Sequence, residues 1–365
     1  MAPAPLTRKE TLMRRIPRIA LVGASIAAAA TVALSGCAPS AAPAPDPSAS
    51  AGAVDDVTIR VGAQPVFALS QWWAAQELGY FDENEVNVEL AELYPNGAPQ
   101  VEAGLRGDWD IAFTGELPAI NAGRAWELQT IGFFGNEPHA HGVYVKSDSG
   151  ITAKNADDKL AGQPVLFTQG STDQLFFEGC LDQFGLSISD IDAVNLAPVD
   201  LVAAMQSGNG VAASAYPPFA FQLEADGYEN ICDTSKLDVA AYPTMVVRKE
   251  FLEEHPDAVA RFTEAVFRAN ALFASDPEQA LELAQGFYEE TGVTQTEEDL
   301  KRTIDLYEWV DLPGGIDIFE SGDAADSVNA YQEMLVRNGT ATDVTEPIWL
   351  NDSAMANALL FADGR

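Results

Sequence analysis

The sequence predicts a two-lobed α/β protein whose lobes are joined by a two-strand hinge and enclose a ligand cleft. Short apolar strands alternate with segments of helical periodicity after residue 54, which is typical of sheets covered by helices on both faces. This part of the chain has about 310 residues, which is long for one hydrophobic core and sufficient for two lobes. Two extended segments, 142–146 and 241–248, fall where the chain would pass between the lobes. Two such crossings allow a cleft to close over a ligand.

The first lobe is predicted over 54–145. Its first strand, 57–62 (VTIRVG), alternates apolar and polar residues with a period of two. Gly79 and Gly107 mark the ends of two of its predicted helices, since glycine is favoured just beyond a helix C-terminus. The predicted strands are 57–62, 86–90, 111–114 and 128–134, and the predicted helices are 67–78, 98–106 and 117–125.

The second lobe is predicted over 146–244, and residues 245–365 return to complete the first lobe with further helices. The second lobe has predicted strands at 164–167, 193–196 and 211–215 and predicted helices at 172–184 and 201–206. The returning segment has predicted helices at 257–274, 277–291, 297–309 and 323–338. No internal repeat of fixed period is present, which argues against a repetitive surface adhesin.

Residues 1–36 are predicted to be a signal peptide. A basic start with Arg14-Arg15 precedes the apolar run 19–34, which is shorter than the roughly 20 residues that span a bilayer. Leu34-Ser35-Gly36-Cys37 resembles the lipobox of bacterial lipoproteins. That resemblance implies cleavage before Cys37 and lipidation of its thiol, with an ordinary signal peptide and a twin-arginine signal as alternatives.

Residues 37–53 are expected to form the lipid anchor and a flexible linker, since 38–53 is almost entirely Ala, Pro, Ser and Gly. The protein is therefore expected to be extracytoplasmic and anchored to the bacterial cell membrane. In that oxidising location Cys180 and Cys232 are predicted to form a disulfide, with two buried free thiols as the alternative.

The chain is strongly acidic. Its formal net charge is −35. Residues 1–36 carry a net charge of +4, so the chain without them has a net charge near −39. Such a charge argues against nucleic acid and against adhesion to anionic lipid. It does not identify a small ligand, because the local field of a pocket can oppose the overall charge.

Five stretches carry a family resemblance. Each is a weak motif alone, but their order and spacing are similar to one class of solute-binding lipoproteins of ABC importers, the nitrate/sulfonate/taurine class. The stretches are Trp73–Phe81 (WAAQELGYF), Gly107–Pro118 (GDWDIAFTGELP), Gly170–Thr172 (GST), Ala203–Phe219 and Phe251–Pro256 (FLEEHP).

The resemblance covers about 57–310 and implies the two-lobed type II periplasmic-binding-protein-like fold. It also implies capture of a small polar solute, such as taurine, another organosulfonate or a related nitrogen-bearing compound, and transport through delivery to an ABC permease with a cytoplasmic ATPase. A monomer without catalytic activity or cofactor is expected. Asn209-Gly210-Val211 and Tyr216 depart from the family pattern, which leaves the solute open. A pyrimidine precursor of thiamine is an alternative.

Polar ligand-binding residues are predicted where strands end and helices begin, because helix N-termini suit anions. Three carboxylates at the predicted cleft suggest a ligand with a cationic or N–H-rich end. Ser171 and Thr172 are equally well explained as helix-capping residues. Glu116 is also explained as an acidic residue that the helix dipole favours near a helix N-terminus. The predicted polar residues are Thr114, Gly115, Ser171, Thr172, Glu116, Glu137 and Asp173.

The walls of the cleft are predicted to be aromatic or amide side chains that stack on the ligand or hydrogen-bond to it. Helical spacing also makes Trp72 a candidate core residue, and Asn96 lies in a turn that favours Asn for backbone reasons. Tyr216 is favoured because it ends a strand. The predicted wall residues are Gln64, Phe67, Trp72, Asn96 and Tyr216.

A metal-binding protein or metalloenzyme is the main rival hypothesis. Glu137, His139 and His141 place two imidazoles and a carboxylate within five residues, which is possible metal-ligand chemistry. The third histidine, His255, lies at a predicted helix start and adds no further ligand cluster. A hydrolase is poorly supported, since neither a G-x-S-x-G nor an H-E-x-x-H motif occurs.

Overall fold

The computed structural model describes residues 57–124, 128–137, 139–232, 234–237 and 240–364. The predicted signal peptide, Cys37 and the predicted linker lie outside the described residues. In the described residues, no helix combines the length and the apolar character needed to cross a membrane.

The strands form two five-stranded sheets and one two-stranded sheet. They are β1 (Thr58–Ala63), β2 (Asn87–Leu93), β3 (Ile111–Thr114), β4 (Leu128–Phe133), β5 (Gly135–Asn136), β6 (Gly142–Lys146), β7 (Pro164–Phe167), β8 (Asp192–Asn195), β9 (Ala212–Ala215), β10 (Tyr228–Asn230), β11 (Thr244–Arg248) and β12 (Glu308–Trp309).

The helices cover both large sheets and form most of the C-terminal part. They are α1 (Gln71–Glu77), α2 (Tyr80–Glu83), α3 (Gly97–Leu105), α4 (Glu116–Arg124), α5 (Ala156–Leu160), α6 (Thr172–Gln183), α7 (Pro198–Gln206), α8 (Phe219–Ala225), α9 (Lys249–Glu254), α10 (Pro256–Ser275), α11 (Pro277–Thr291), α12 (Glu297–Asp305), α13 (Leu312–Glu320), α14 (Asp323–Arg337) and α15 (Ser353–Asp363).

The first lobe is built on the sheet of order β2-β1-β3-β11-β4. β1 pairs in parallel with β2 and β3, whereas β11 is antiparallel to β3 and β4. The central strand β3 is buried at all four positions, which explains its continuous apolar sequence. The long helix α10 packs on this lobe because its apolar face, including Phe262, Val266 and Phe273, belongs to the main core.

The second lobe is built on the sheet of order β10-β6-β9-β7-β8. β6 (Gly142–Lys146) pairs with β9 and β10 in this sheet. The chain therefore enters the second lobe before Gly142, a few residues earlier than the boundary at 145 that the sequence predicts. The two-lobed α/β architecture itself is confirmed.

Two chain crossings join the lobes, the first between β5 and β6 and the second between β10 and β11. The crossings are hydrogen-bonded to each other, since the Glu137 amide donates to Ala241 O at 2.9 Å and the Phe134 amide donates to Pro243 O at 3.0 Å. The two crossings form a two-strand hinge, as predicted, but at other residues: the predicted segment 142–146 is strand β6 of the second lobe, and of the predicted segment 241–248 only 241–243 lies in a crossing. Glu137 thus lies on the hinge itself, beside the gap between the lobes.

Some predicted elements differ from the structure. The predicted helix 67–78 is a short 3-10 turn at Phe67–Leu69 followed by α1. The predicted helix 297–309 ends at Asp305, because Glu308–Trp309 pairs with Gly135–Asn136 as a strand. Sequence periodicity does not detect a two-residue strand whose pairing partner is far away in the chain.

Candidate functional site

The two lobes enclose a small cavity of about 50 Å³. A water molecule needs about 10–15 Å³ on this measure, so the cavity has room for a solute of a few heavy atoms. Its apolar wall consists mainly of Val66, Ala68, Leu69, Pro118 and Pro243, with Gly97 and Gly115. Its polar side chains are Gln64, Glu137, His141, Ser171, Thr172, Asp173, Tyr216 and Tyr307.

The first lobe contributes Gln64 from the turn after β1. Its side-chain amide donates to Gln100 Oε1 at 2.7 Å and to Thr114 Oγ1 at 3.2 Å. Gln100 in turn donates to the main-chain oxygens of Gly62 and Phe113 at 2.9 and 3.0 Å. The orientation of Gln64 is therefore fixed by a buried hydrogen-bonded chain that also joins β1 and β3.

The second lobe contributes the start of α6. Ser171 precedes the helix, and its hydroxyl donates to Thr168 O at 2.7 Å. Thr172 Oγ1 accepts a hydrogen bond from the Leu117 amide of the first lobe at 3.3 Å. The first-turn amides of a helix have no acceptor within it and suit an anionic ligand. The lobes are thus in direct contact beside a helix N-terminus.

Gly115 sets how closely the lobes approach. A Cβ atom at this position would lie 2.2 Å from Thr172 Oγ1. We expect Gly115→Ala to hold the lobes apart and to enlarge the radius of gyration in small-angle scattering, with little loss of stability because the clash is relieved by hinge opening.

The matched control is Gly210→Ala, whose new Cβ would meet Leu166 and Met205 within the second lobe and should leave the lobe spacing unchanged. Thr172→Gly added to Gly115→Ala removes the clashing atoms and should restore the wild-type radius. An unchanged radius in Gly115→Ala would show that the lobes do not meet here in solution.

A buried charged cluster occupies one side of the cavity. His141 Nδ1 lies 3.1 Å from Asp173 Oδ1, and His141 Nε2 lies 3.6 Å from Glu137 Oε1. The second distance is too long for a hydrogen bond but short enough for charge attraction. The three residues are at most 7 % exposed. The His141 ring also stacks on Phe176 at a centroid distance of 4.3 Å.

Charge effects dominate the protonation of His141. Burial alone would lower its pKa, but Asp173 and Glu137 outweigh burial and raise the pKa to about 9. His141 is therefore an imidazolium at neutral pH. With both carboxylates ionised, the three side chains carry a formal charge of −1.

Two polar atoms of this cluster lack a partner among the described residues. His141 Nε2 and Asp173 Oδ2 are both buried and have no hydrogen bond. Both residues line the cavity. A buried unsatisfied polar atom costs about 1–3 kcal/mol, so the two atoms favour a ligand or water that completes their bonding.

Two tyrosines complete the polar wall. Burial, together with the charge of Glu137 and a hydrogen bond to it, raises the pKa of Tyr307 well above its usual value. Burial also raises the pKa of Tyr216, so both phenols are neutral. The Tyr216 ring lies 5.7 Å from the rings of His141 and Phe219.

Seven of the twelve predicted binding residues line the cavity: Gln64, Gly115, Glu137, Ser171, Thr172, Asp173 and Tyr216. Two predicted wall residues instead belong to the core. Phe67 is fully buried and packs on Phe273 at 4.7 Å, and Trp72 is in the same apolar cluster. Their helical or turn spacing directs them toward the C-terminal helices rather than the cleft.

Three predicted polar residues do not line the cavity and have structural hydrogen-bond partners instead. Asn96 caps α3 by accepting from the Ala98 amide at 3.1 Å, and Thr114 accepts from Gln64. Glu116 accepts from Ser327 Oγ at 2.7 Å and from the Tyr242 amide at 3.2 Å. Each has a local partner, so the prediction that they bind the ligand directly finds no support in the geometry.

Sequence reasoning gave His141 only a metal-binding role and missed Tyr307. His141 is buried but His139 is exposed. Residues 139 and 140 lie in a turn rather than in an extended segment, so the two histidines do not share a face as residues two apart on a strand would. No group of three or more His, Cys, Asp or Glu residues suited to a metal ion occurs in the part of the chain that the structure describes. The rival hypothesis of a metal site at Glu137, His139 and His141 therefore finds no support in the geometry of the described residues.

Comparison with known proteins gives one family match and several relatives. The NMT1-like family matches residues 52–287. A putative aliphatic sulfonates-binding protein of Bacillus subtilis is 28 % identical over 218 residues, covering 58 % of this chain and 64 % of the relative. The taurine-binding periplasmic protein of Escherichia coli is 26 % identical over 189 residues, covering 51 % and 57 %. The chain thus spans about three fifths of the length of these relatives.

Solved structures share the fold. The periplasmic nitrate-binding protein NrtA from Synechocystis has a TM-score of 0.69 at 15 % identity, covering 85 % of this chain and 90 % of its own. The periplasmic aliphatic sulphonate binding protein SsuA from Escherichia coli has a TM-score of 0.62 at 21 % identity, covering 80 % and 91 %. The likeness confirms the periplasmic-binding-protein fold that the sequence resemblance implies.

Proposed function

The chain belongs to the NMT1-like family, and from that premise we propose that it is the extracytoplasmic solute-binding lipoprotein of an ABC importer. It captures a small polar solute of the taurine or organosulfonate type, or a related nitrogen-bearing compound, and delivers it to the permease. The observation that carries this proposal is a cavity enclosed by two hinged lobes, with buried polar atoms that have no hydrogen bond within the part of the chain that the structure describes.

The cavity supports a binding role rather than a reaction. It contains hydrogen-bonding groups from both lobes, so a solute that contacts Gln64 on one side and Ser171 or Thr172 on the other would stabilise the closed arrangement. Ligands that bind between two hinged lobes shift the equilibrium toward closure. The relatives with assigned ligands are named as binding proteins for aliphatic sulfonates and taurine.

The proposed roles of the lining residues follow from their chemistry. The first-turn amides of α6 and the hydroxyls of Ser171 and Thr172 receive an anionic or other acceptor group. Glu137 and Asp173 receive N–H donors, and His141 donates from Nε2. Gln64 contributes its amide, and Tyr216 and Tyr307 provide aromatic walls with neutral hydroxyl groups.

The proposed partners are the membrane-embedded permease and its cytoplasmic ATPase. Lipidation of Cys37 would hold the protein at the outer face of the cell membrane, and the linker before Val54 would let the body reach the permease. Closure places surfaces of both lobes side by side, so the permease can distinguish loaded from empty protein. The protein acts as a monomer and performs no chemistry on the solute.

Thermal unfolding in the presence of candidate solutes tests this function. We expect one member of a panel of taurine, alkanesulfonates, nitrate, betaine and aminopyrimidines to stabilise the purified protein by about 2.7 kcal/mol at 100 times its dissociation constant. That corresponds to a rise of about 4 °C in the unfolding temperature for a body of about 310 residues, whose entropy of unfolding is roughly 0.65 kcal/mol/K.

Sodium sulfate at equal ionic strength is the control, because excluded salts stabilise proteins without binding. Absence of a shift with every solute, combined with a fall in unfolding temperature on adding EDTA, would contradict solute binding and support the rival metal-binding hypothesis.

A further inference from the structure

The unpartnered atoms of the cavity constrain the solute's chemistry more closely than the family does. His141 and Asp173 hydrogen-bond to each other through Nδ1 and Oδ1, and among the described residues the second polar atom of each is buried without a hydrogen bond, with Glu137 Oε1 3.6 Å from His141 Nε2. A purely structural ion pair is normally completed by other protein groups, since orphaned buried polar atoms are costly. Here one open donor and one open acceptor lie beside the same cavity.

The charges around the cavity also constrain the chemistry of the solute. Among the side chains that line it, Glu137 and Asp173 are acidic and His141 is the one basic group, with no lysine or arginine. The cluster already has a formal charge of −1, and the phenols of Tyr216 and Tyr307 remain neutral. A solute carrying only a negative charge would add repulsion in a poorly hydrated site. A solute with a positive or N–H-rich group would offset the excess charge.

We propose, building on the solute-binding function above, that the solute carries an ammonium or amidine-type N–H group which donates to Asp173 Oδ2, and a nearby acceptor which receives the Nε2 hydrogen of His141. Amino-sulfonates, amino-carboxylates and aminopyrimidines present both groups within a few ångströms. Simple alkanesulfonates and nitrate present only acceptors. Asp173 and His141 are therefore specificity-determining residues that select amine-bearing solutes over their amine-free counterparts.

Calorimetric titration with matched pairs of solutes tests the proposal without any mutation. Taurine is compared with ethanesulfonate, and an aminopyrimidine with the parent pyrimidine, so that each pair differs chiefly in the amine. We expect the amine-bearing member of at least one pair to bind ten-fold or more tightly than its partner. Equal or tighter binding of the amine-free member would overturn the amine requirement while leaving solute binding intact. Absence of binding in every pair, with a folded protein, would count against both proposals.

Asp173→Asn then assigns the selectivity to one side chain. Asparagine has nearly the same shape but no charge, so the amine-bearing solute should lose ten-fold or more in affinity and the amine-free solute less than three-fold. Asp110→Asn is the matched control, because it removes the charge of another buried carboxylate, which pairs with Arg60 and does not line the cavity, and it should leave the selectivity unchanged. Equal losses for both members of a pair in Asp173→Asn would contradict the assignment.

Discussion

Replacing Glu116 by glutamine should remove a loss of stability that the protein otherwise undergoes between about pH 4.5 and pH 8. Glu116 is 1 % exposed, and burial raises the pKa of its carboxyl group to about 8. Hydrogen bonds from Ser327 and from the Tyr242 amide oppose this rise, and the charge of Glu137 adds to it. Glutamine resembles the neutral carboxylic acid in shape and never ionises, so the variant avoids a buried charge at every pH.

The direction in which stability changes with pH follows from proton linkage. A group whose pKa is higher in the folded protein than in the unfolded chain binds its proton more tightly in the folded protein. The stability contributed by neutral Glu116 is therefore fully present below about pH 4.5 and is lost progressively as the pH rises through about 8. Since one pKa unit corresponds to about 1.4 kcal/mol, the total change is on the order of a few kcal/mol.

Urea unfolding of the wild type and Glu116→Gln across this pH range measures the effect as the difference between the two curves. We expect the variant to be the more stable protein above pH 8 and its advantage to shrink toward pH 4.5. Glu320→Gln, which removes an exposed carboxylate, should differ from wild type by less than about 0.5 kcal/mol throughout. Parallel pH curves for wild type and Glu116→Gln would show that Glu116 ionises normally.

His141 gives an internal reference for the same experiment. Its pKa is raised from 6.5 to about 9 by Asp173 and Glu137, against the effect of burial. Its contribution is thus fully present below about pH 6.5 and is lost as the pH rises through about 9. The groups that face it are Asp173, Glu137 and the neutral tyrosines 216 and 307. Glu116→Gln keeps all of them, so both proteins should retain this later decline.

The lobes and the hinge could be predicted because their signals are local. Strands such as Ile111–Thr114 are short apolar runs, and α6 begins directly after Gly170-Ser171. Gly170 has a φ of +74°, a left-handed conformation that favours glycine. Patterns of this kind also placed Ser171, Thr172 and Asp173 at the start of a helix, which is where the cavity lies.

The position of Tyr307 could not be predicted, because distant pairing decides it. β12 follows Tyr307 directly, and β5 directly precedes Glu137. The antiparallel pairing of these two short strands brings Tyr307 beside the hinge and the cavity. Trp309 also packs against Phe67 and Phe273, with ring centroids 6.1 and 5.0 Å apart. The periodic sequence before it favours a continuous helix, and tertiary packing overrides that preference.

For Glu116, the place in the chain could be predicted from the sequence, but its hydrogen-bond partners could not. It lies between β3 and Pro118 as expected, as the first residue of α4, but helix α14 supplies Ser327 and the second crossing supplies the Tyr242 amide. Nothing near Glu116 in the sequence indicates either partner. A carboxylate at the end of a strand is therefore weak evidence for ligand binding until the groups that surround it are known.

Removing the disulfide between Cys180 and Cys232 should reduce the free energy of unfolding by about 4 kcal/mol. The structure confirms this pairing, with a sequence separation of 52 residues. Cross-linking a loop of this length restricts the unfolded chain, and the chain-entropy relation gives that magnitude. Both cysteines belong to the core of the second lobe, where Phe177 and Leu181 surround Cys180. The double variant Cys180→Ala/Cys232→Ala would also leave a small cavity, so its loss should be slightly larger.

Urea unfolding of the wild type with and without a reductant measures the effect of the cross-link alone. The two samples share one sequence, so neither contains the packing void that the alanine substitutions would leave. The disulfide joins α6, whose first turn carries Thr172 and Asp173, to the segment where the chain leaves the second lobe. Its loss should therefore weaken solute binding as well as stability, because α6 is then held only by packing and by hydrogen bonds such as those of Thr172 and Asp173. Equal stability of the oxidised and reduced samples would show that native packing compensates for the cross-link. Unchanged affinity in a folded double variant would show that packing by itself positions the binding end of α6.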